Sequence, residues 1–130
     1  MNNSFKVMLV EDDDFTRSTL KVALKNSGLD IAFDTAFVKE AIEWARANNV
    51  TVAVLDYNLG KGPSGIDLAH SLRSFLPDVG IIILTALLDP AQRKEKEALL
   101  PAGSIYLVKQ EVTEIEKLVE AIQEVGLNPH

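Results

Sequence analysis

The sequence predicts an α/β fold: a doubly wound, open parallel sheet of five strands with five helices on its two faces. Two observations carry this. Short apolar, β-branched runs recur along the chain, and four of them are continuous rather than alternating, as expected of strands covered on both faces. Between successive runs lie longer segments of helical period, and crossovers between parallel strands are right-handed in nearly all proteins, which puts helices on both sides of the sheet. Length bounds the answer as well. At 130 residues the chain is about one domain long, and a 47% apolar composition can fill its core.

The first strand run is Lys6-Val7-Met8-Leu9-Val10. Phe15 to Ser27 then places Leu20, Ala23 and Leu24 on one stripe, and Asn26-Ser27-Gly28 supplies residues that end a helix in a left-handed cap. Asp30-Ile31-Ala32-Phe33-Asp34 is a weaker run that alternates, as a strand near an edge does. Val38 to Asn48 stacks Val38, Ala41, Ile42 and Ala45, and Val50 to Leu55 is the next strand. Gly65 to Leu76 groups Leu68, Leu72, Phe75 and Leu76 and is stopped by Pro77. After the strand Gly80 to Leu84, the segment Asp89 to Leu100 starts well, with Asp89 as cap and Pro90 in the first position. Gln92 to Glu97 leaves it only a thin apolar stripe, so a marginal, exposed helix is expected there. Ser104 to Val108 is the last strand, and Thr113 to Val125 aligns Ile115, Leu118, Val119 and Ile122 behind a Thr113 cap.

Charge and composition remove several function classes. Thirteen Lys and Arg against nineteen Asp and Glu give a net charge of −6 and a pI near 4.8, which argues against a chain that grips nucleic-acid phosphates directly. Without cysteine there is no disulfide scaffold, thiolate metal site or thiol catalysis, and the composition suits a reducing compartment. Met1-Asn2-Asn3-Ser4 opens no signal peptide, and no stretch approaches the ~20 apolar residues of a membrane span. A cytoplasmic protein that engages neither membrane nor nucleic acid is expected.

In such sheets ligands bind beyond the carboxyl ends of the strands. The polar residues there are Glu11, Asp12, Asp13 and Asp14 after the first run, then Asp56, Thr85 and Lys109 after the third, fourth and fifth. Acids, a hydroxyl and an ammonium therefore converge on one edge. Clustered carboxylates repel one another, so a hard divalent cation with oxygen ligands is their natural partner. Taken alone, Glu11 to Asp14 could equally be a solvated turn capping the first helix; Asp13 and Asp14 are assigned to that capping work.

The runs Val10-Glu11-Asp12-Asp13, Leu55-Asp56, Leu84-Thr85-Ala86 and Tyr106-Leu107-Val108-Lys109, in that order, closely resemble the receiver domain of bacterial two-component response regulators. The resemblance covers essentially the whole chain, and it implies a flavodoxin-like sheet of order 2-1-3-4-5 in a single domain, residues 1–130. By the same resemblance, Asp56 is the phosphoacceptor, taking a phosphoryl group from a phosphohistidine. Asp12 and Asp56 hold Mg²⁺ directly, Glu11 holds it through a water, and the backbone carbonyl of Asn58 adds a ligand. Lys109, the Thr85 hydroxyl and the Ala86 N–H meet the phosphoryl oxygens. Tyr106 matches an aromatic that turns inward when the threonine moves, although half-buried packing would also account for it. Trp44 and His70 are assigned to packing or surface.

The implied protein is a phosphorylation switch that catalyses only its own aspartyl phosphorylation and dephosphorylation. A histidine kinase or phosphotransfer protein lies upstream and an unidentified protein target downstream; the chain itself is monomeric or weakly dimeric. The alternatives are the receiver of a larger regulator or hybrid kinase, and a degenerate receiver that acts as a phosphorylation-independent interaction module. An aspartyl phosphohydrolase would need a second acid where Asn58 stands, and a flavin carrier would need a hydroxyl- and glycine-rich loop in place of the four acids.

Three departures from the family pattern concern the loops. Gln110 follows the lysine where proline is usual, so a trans peptide with an altered loop, or an unusually constrained one, is expected. Gly65 comes one position later after Asp56 than in most receivers, so a longer and more mobile loop is expected there. Thr85 and Lys109 are 24 positions apart, also a long interval, and Pro101 falls within it. Leu87, two residues after the threonine, offers no group to orient a water.

Overall fold

The computed structural model describes residues 6–59, 64–85, 90–108 and 115–127. Strands β1 (Val7–Val10), β2 (Ile31–Thr35), β3 (Val52–Asp56), β4 (Gly80–Thr85) and β5 (Ile105–Val108) alternate with helices. These are α1 (Asp14–Asn26), α2 (Val38–Ala47), α3 (Gly65–Phe75), α4 (Pro90–Glu97) and α5 (Ile115–Leu127). All four strand pairings are parallel and the order is β2-β1-β3-β4-β5, as the sequence led us to expect.

Every residue of β1, β3 and β4 is buried, which explains their continuous hydrophobicity: the sheet is covered on both faces. On one side Met8, Val10, Ala53, Leu55, Ile81 and Ile83 meet Ala41 and Ala45 of α2 and Leu68 and Leu72 of α3. On the other, Val7, Leu9, Val52, Val54, Ile82 and Leu84 meet Leu20 and Leu24 of α1 and Leu118 and Ile122 of α5. The alternation in β2 reflects its place at the sheet edge, where Phe33 stacks on Trp44 with ring centroids 4.9 Å apart. Tyr106, on the opposite edge strand, is only 3% exposed and belongs to the α2/α3 core, deeper than half-buried packing.

Local signals set the helix ends. Asp13 caps α1, its carboxylate accepting from the Thr16 N–H at 2.8 Å. Gly28, with φ +90°, takes the left-handed turn after that helix. Ser64 and Asp67 close a reciprocal capping box on α3. The helix α4 is short and carries mostly exposed side chains where they are described, as its thin stripe implied. The segment after it docks on α3: a ring nitrogen of His70 lies 2.6 Å from the Leu99 carbonyl, and Arg73 donates to the Ala102 carbonyl at 2.9 Å. Pro101 is buried between those two anchors. This is how the long interval before β5 is held against the body of the protein.

Candidate functional site

Register brings the predicted residues together. Val10 pairs with Leu55, so Glu11 and Asp56 follow on adjacent strands at the carboxyl edge of the sheet. Asp56 in turn pairs with Leu84, and Thr85 is the next residue of β4. Glu11, Asp56 and Thr85 are 1%, 4% and 2% exposed, whereas Asp12 faces solvent. One carboxylate oxygen from each of Glu11, Asp12 and Asp56 lies within 4.8 Å of the others. Three carboxylates gathered this closely repel one another. The arrangement therefore fits a hard, oxygen-seeking divalent cation, reached from the solvent on the Asp12 side.

The backbone around each acid is tied down. The Glu11 N–H donates to the Thr35 carbonyl at 3.1 Å, and the Asp13 N–H donates to Glu11 Oε2 at 3.2 Å. Beyond β3 the Asn58 N–H donates to Asp56 Oδ1 at 3.3 Å, and the Tyr57 N–H donates to the Leu84 carbonyl at 2.7 Å. Asn58 is thus folded back toward the Asp56 side chain. Tyr57 packs against the α2/α3 core, with the ammonium of Lys96 from α4 5.2 Å from its ring centre. The hydrogen bond to Tyr57 is the main cause that holds the Lys96 pKa above the ordinary lysine value.

Asp13 and Asp14 stand apart from the cluster, as their assignment to capping requires. Asp13 caps α1, and Asp14 in its first turn pairs with Arg17 at 2.7 Å. Ala86, Leu87, Lys109 and Gln110, the loop 60–63, and the Asp89 and Thr113 caps lie outside the described residues. Arg17 is a residue that sequence reasoning passed over. It reaches the Glu11 carbonyl and Asp34 as well as Asp14. Its spacing from Asp14 suggests only a pair within one helix, and the other two contacts need the neighbouring strand.

A five-stranded parallel sheet of this order, with three acids gathered at its carboxyl edge, defines a receiver, and the chain belongs to the response regulator receiver domain family, whose model matches residues 7–123. It is similar to the DNA-binding transcriptional activator DevR/DosR of Mycobacterium tuberculosis, 34% identical over 122 residues, which are 93% of this chain and 54% of that protein. The chain thus spans about half the length of that relative. The receiver domain of Francisella response regulator 1452 superposes with a TM-score of 0.78 at 27% identity, covering 95% of this chain and 97% of that one. The signal receiver domain of NarL from Mycobacterium tuberculosis shares the fold, with a TM-score of 0.81 at 23% identity and coverage of 98% and 99%.

Proposed function

We propose that Asp56 accepts a phosphoryl group from a phosphohistidine of a histidine kinase or phosphotransfer protein, and that the modified receiver then binds a downstream protein differently. One observation carries this reading: Asp56 is held at the end of β3, buried, with its carboxylate within 4.8 Å of those of Glu11 and Asp12. A carboxylate oxygen of Asp56 attacks phosphorus; the new O–P bond forms as the P–N bond breaks, and the imidazole leaves with the bonding pair. Asp12 and Asp56 would hold Mg²⁺ directly, Glu11 through a water, and the Asn58 carbonyl would complete the protein's share. Mg²⁺ bound there supplies positive charge against the transferring phosphoryl oxygens.

The chain's own groups do the rest. Asn58 N–H, already on Asp56 Oδ1, keeps one carboxylate oxygen engaged and so orients the other. Thr85, at the adjacent strand end, offers a hydroxyl to the phosphoryl group, and Lys109 and the Ala86 N–H are assigned the remaining oxygens by their match to the family pattern. Tyr106, buried in the core beside β4, is the residue whose packing would register movement of Thr85. On this reading the protein is cytoplasmic, monomeric or weakly dimeric, and a single receiver over residues 1–130. Among the described residues no helix is long and apolar enough to cross a membrane. The greater length of DevR/DosR favours a second reading, in which the same chemistry drives an output region joined to this receiver.

Intact mass after incubation with acetyl phosphate and Mg²⁺ tests the proposal. A single phosphoryl adduct is expected, absent in Asp56→Asn and absent when a chelator is present. Failure to form it, together with failure to bind beryllofluoride, would leave a phosphorylation-independent interaction module as the better account.

A further inference from the structure

Arg17 stands in α1 just after the acids of the β1–α1 connection and gives each guanidinium nitrogen to a different stretch of chain. Nη1 donates to the Glu11 carbonyl at 2.9 Å, Nη2 to Asp14 Oδ1 at 2.7 Å, and Nε to Asp34 Oδ2 at 3.2 Å. The side chain is 19% exposed, and its hydrogen bond to Asp14 is the main cause that holds its pKa above the ordinary arginine value. Asp34 has a second cation of its own, Lys21 at 2.9 Å, so Arg17 is not needed to neutralise it.

The bond to the Glu11 carbonyl has the most consequence for the site. That carbonyl shares a rigid peptide plane with the Asp12 N–H, so holding it sets the direction in which the chain enters Asp12. On its other side Glu11 is held by its N–H on the Thr35 carbonyl. Both peptide groups of Glu11 are therefore clamped, one by β2 and one by α1. The carboxylates of Glu11 and Asp12 project from a backbone fixed at both ends.

We infer that Arg17 is a positioning residue for the cation site, acting through the Glu11 carbonyl to hold Glu11 and Asp12 where they meet Asp56. The inference rests on the reading of those three acids as a Mg²⁺ site. Charge alone predicts the opposite sign: Arg17 is a cation among acids, and deleting it makes the surroundings more negative and cation binding tighter. Positioning predicts weaker binding in spite of that charge. A lysine in its place keeps the charge, but a compact ammonium cannot span three acceptors as the planar fork does.

The experiment is a calorimetric titration of Mg²⁺ alone, at physiological ionic strength, into the full chain and into Arg17→Gln, Arg17→Lys and Asp34→Asn. Urea unfolding of each confirms that it is folded, and Arg17→Lys carries the test should Arg17→Gln unfold. Both Arg17 variants are expected to bind Mg²⁺ about tenfold more weakly, the usual scale for loss of a group that orients a ligand. Asp34→Asn, which leaves the Glu11 carbonyl bond in place, is expected to stay close to the parent. Unchanged or tighter binding in the Arg17 variants overturns the inference and leaves the site intact, and so does an equal loss in Asp34→Asn. No Mg²⁺ binding by the parent overturns the site itself and the inference with it.

Discussion

Gly65, the first residue of α3, lies against the backbone of Asp56, the last residue of β3. The Gly65 N–H donates to the Tyr57 carbonyl at 2.8 Å, and a Cβ at Gly65 would overlap the Asp56 carbonyl oxygen and come within 3.0 Å of the Tyr57 Cα. Both obstructions are backbone and neither can rotate away. The start of α3 therefore packs directly on the end of β3, and only a residue without a side chain permits that approach.

Gly65→Ala should destabilise the protein. Relief of the overlap requires α3 or the Asp56–Tyr57 backbone to shift, at a cost of about 1–3 kcal/mol by analogy with overpacked cores. Urea unfolding measures the loss, and the rate of phosphoryl uptake from acetyl phosphate should fall with it. A variant as stable and as reactive as the parent would show that the approach is looser than described.

The two neighbouring acids Asp12 and Asp13 should separate cleanly. Asp13→Ala removes the α1 cap, with its bonds to the Thr16 N–H at 2.8 Å and Thr16 Oγ1 at 2.6 Å, and should cost about 1 kcal/mol of stability while phosphoryl uptake continues. Asp12→Asn touches the exposed member of the carboxylate cluster and should abolish Mg²⁺-dependent uptake with little change in the unfolding midpoint measured without metal.

Metal should stabilise the fold by mass action. With Mg²⁺ at 100 times its dissociation constant, the unfolding free energy should rise by about 2.7 kcal/mol, and chelator should reverse the gain. Asp12→Asn should lose the effect. Denaturant titrations with and without Mg²⁺ provide the check, and an equal gain in Asp12→Asn would place the binding elsewhere.

The lifetime of the phosphoryl group should depend on Leu87. An apolar side chain at this position cannot accept a proton from an attacking water, whereas a carboxylate can. Phosphorylated Leu87→Glu is therefore expected to lose its phosphoryl group faster than the parent, followed by intact mass after removal of the donor. Equal or slower loss in the variant would show that water reaches the group by another route.

By itself the sequence determined the strands, the helices and the acids at their ends, because each of these is written in short-range terms. Continuous runs such as Gly80 to Leu84 mark strands covered on both faces, Asp13 marks a helix start, and Gly28 marks a helix end. Glu11, Asp12, Asp56 and Thr85 could be named in advance because strand ends in a parallel sheet converge on one edge. The sheet order came from resemblance rather than from periodicity, since a hydrophobic pattern carries no record of which strand lies beside which.

Only the tertiary structure decided which polar groups serve the acids. Arg17 looks from its spacing like half of a helical ion pair, and it becomes a brace only when the β1–α1 turn presents the Glu11 carbonyl; its further contact with Asp34 comes from β2 lying alongside. Tyr106 sits on an edge strand and would be half-buried there, but it is 3% exposed and belongs to the core that α2 and α3 share, against which Leu100 also packs. His70 and Arg73 hold that segment through carbonyls 29 residues away. Contacts of this kind are made to backbone carbonyls, which every residue carries, so no residue type in the sequence announces them; the packing of one element on another selects them.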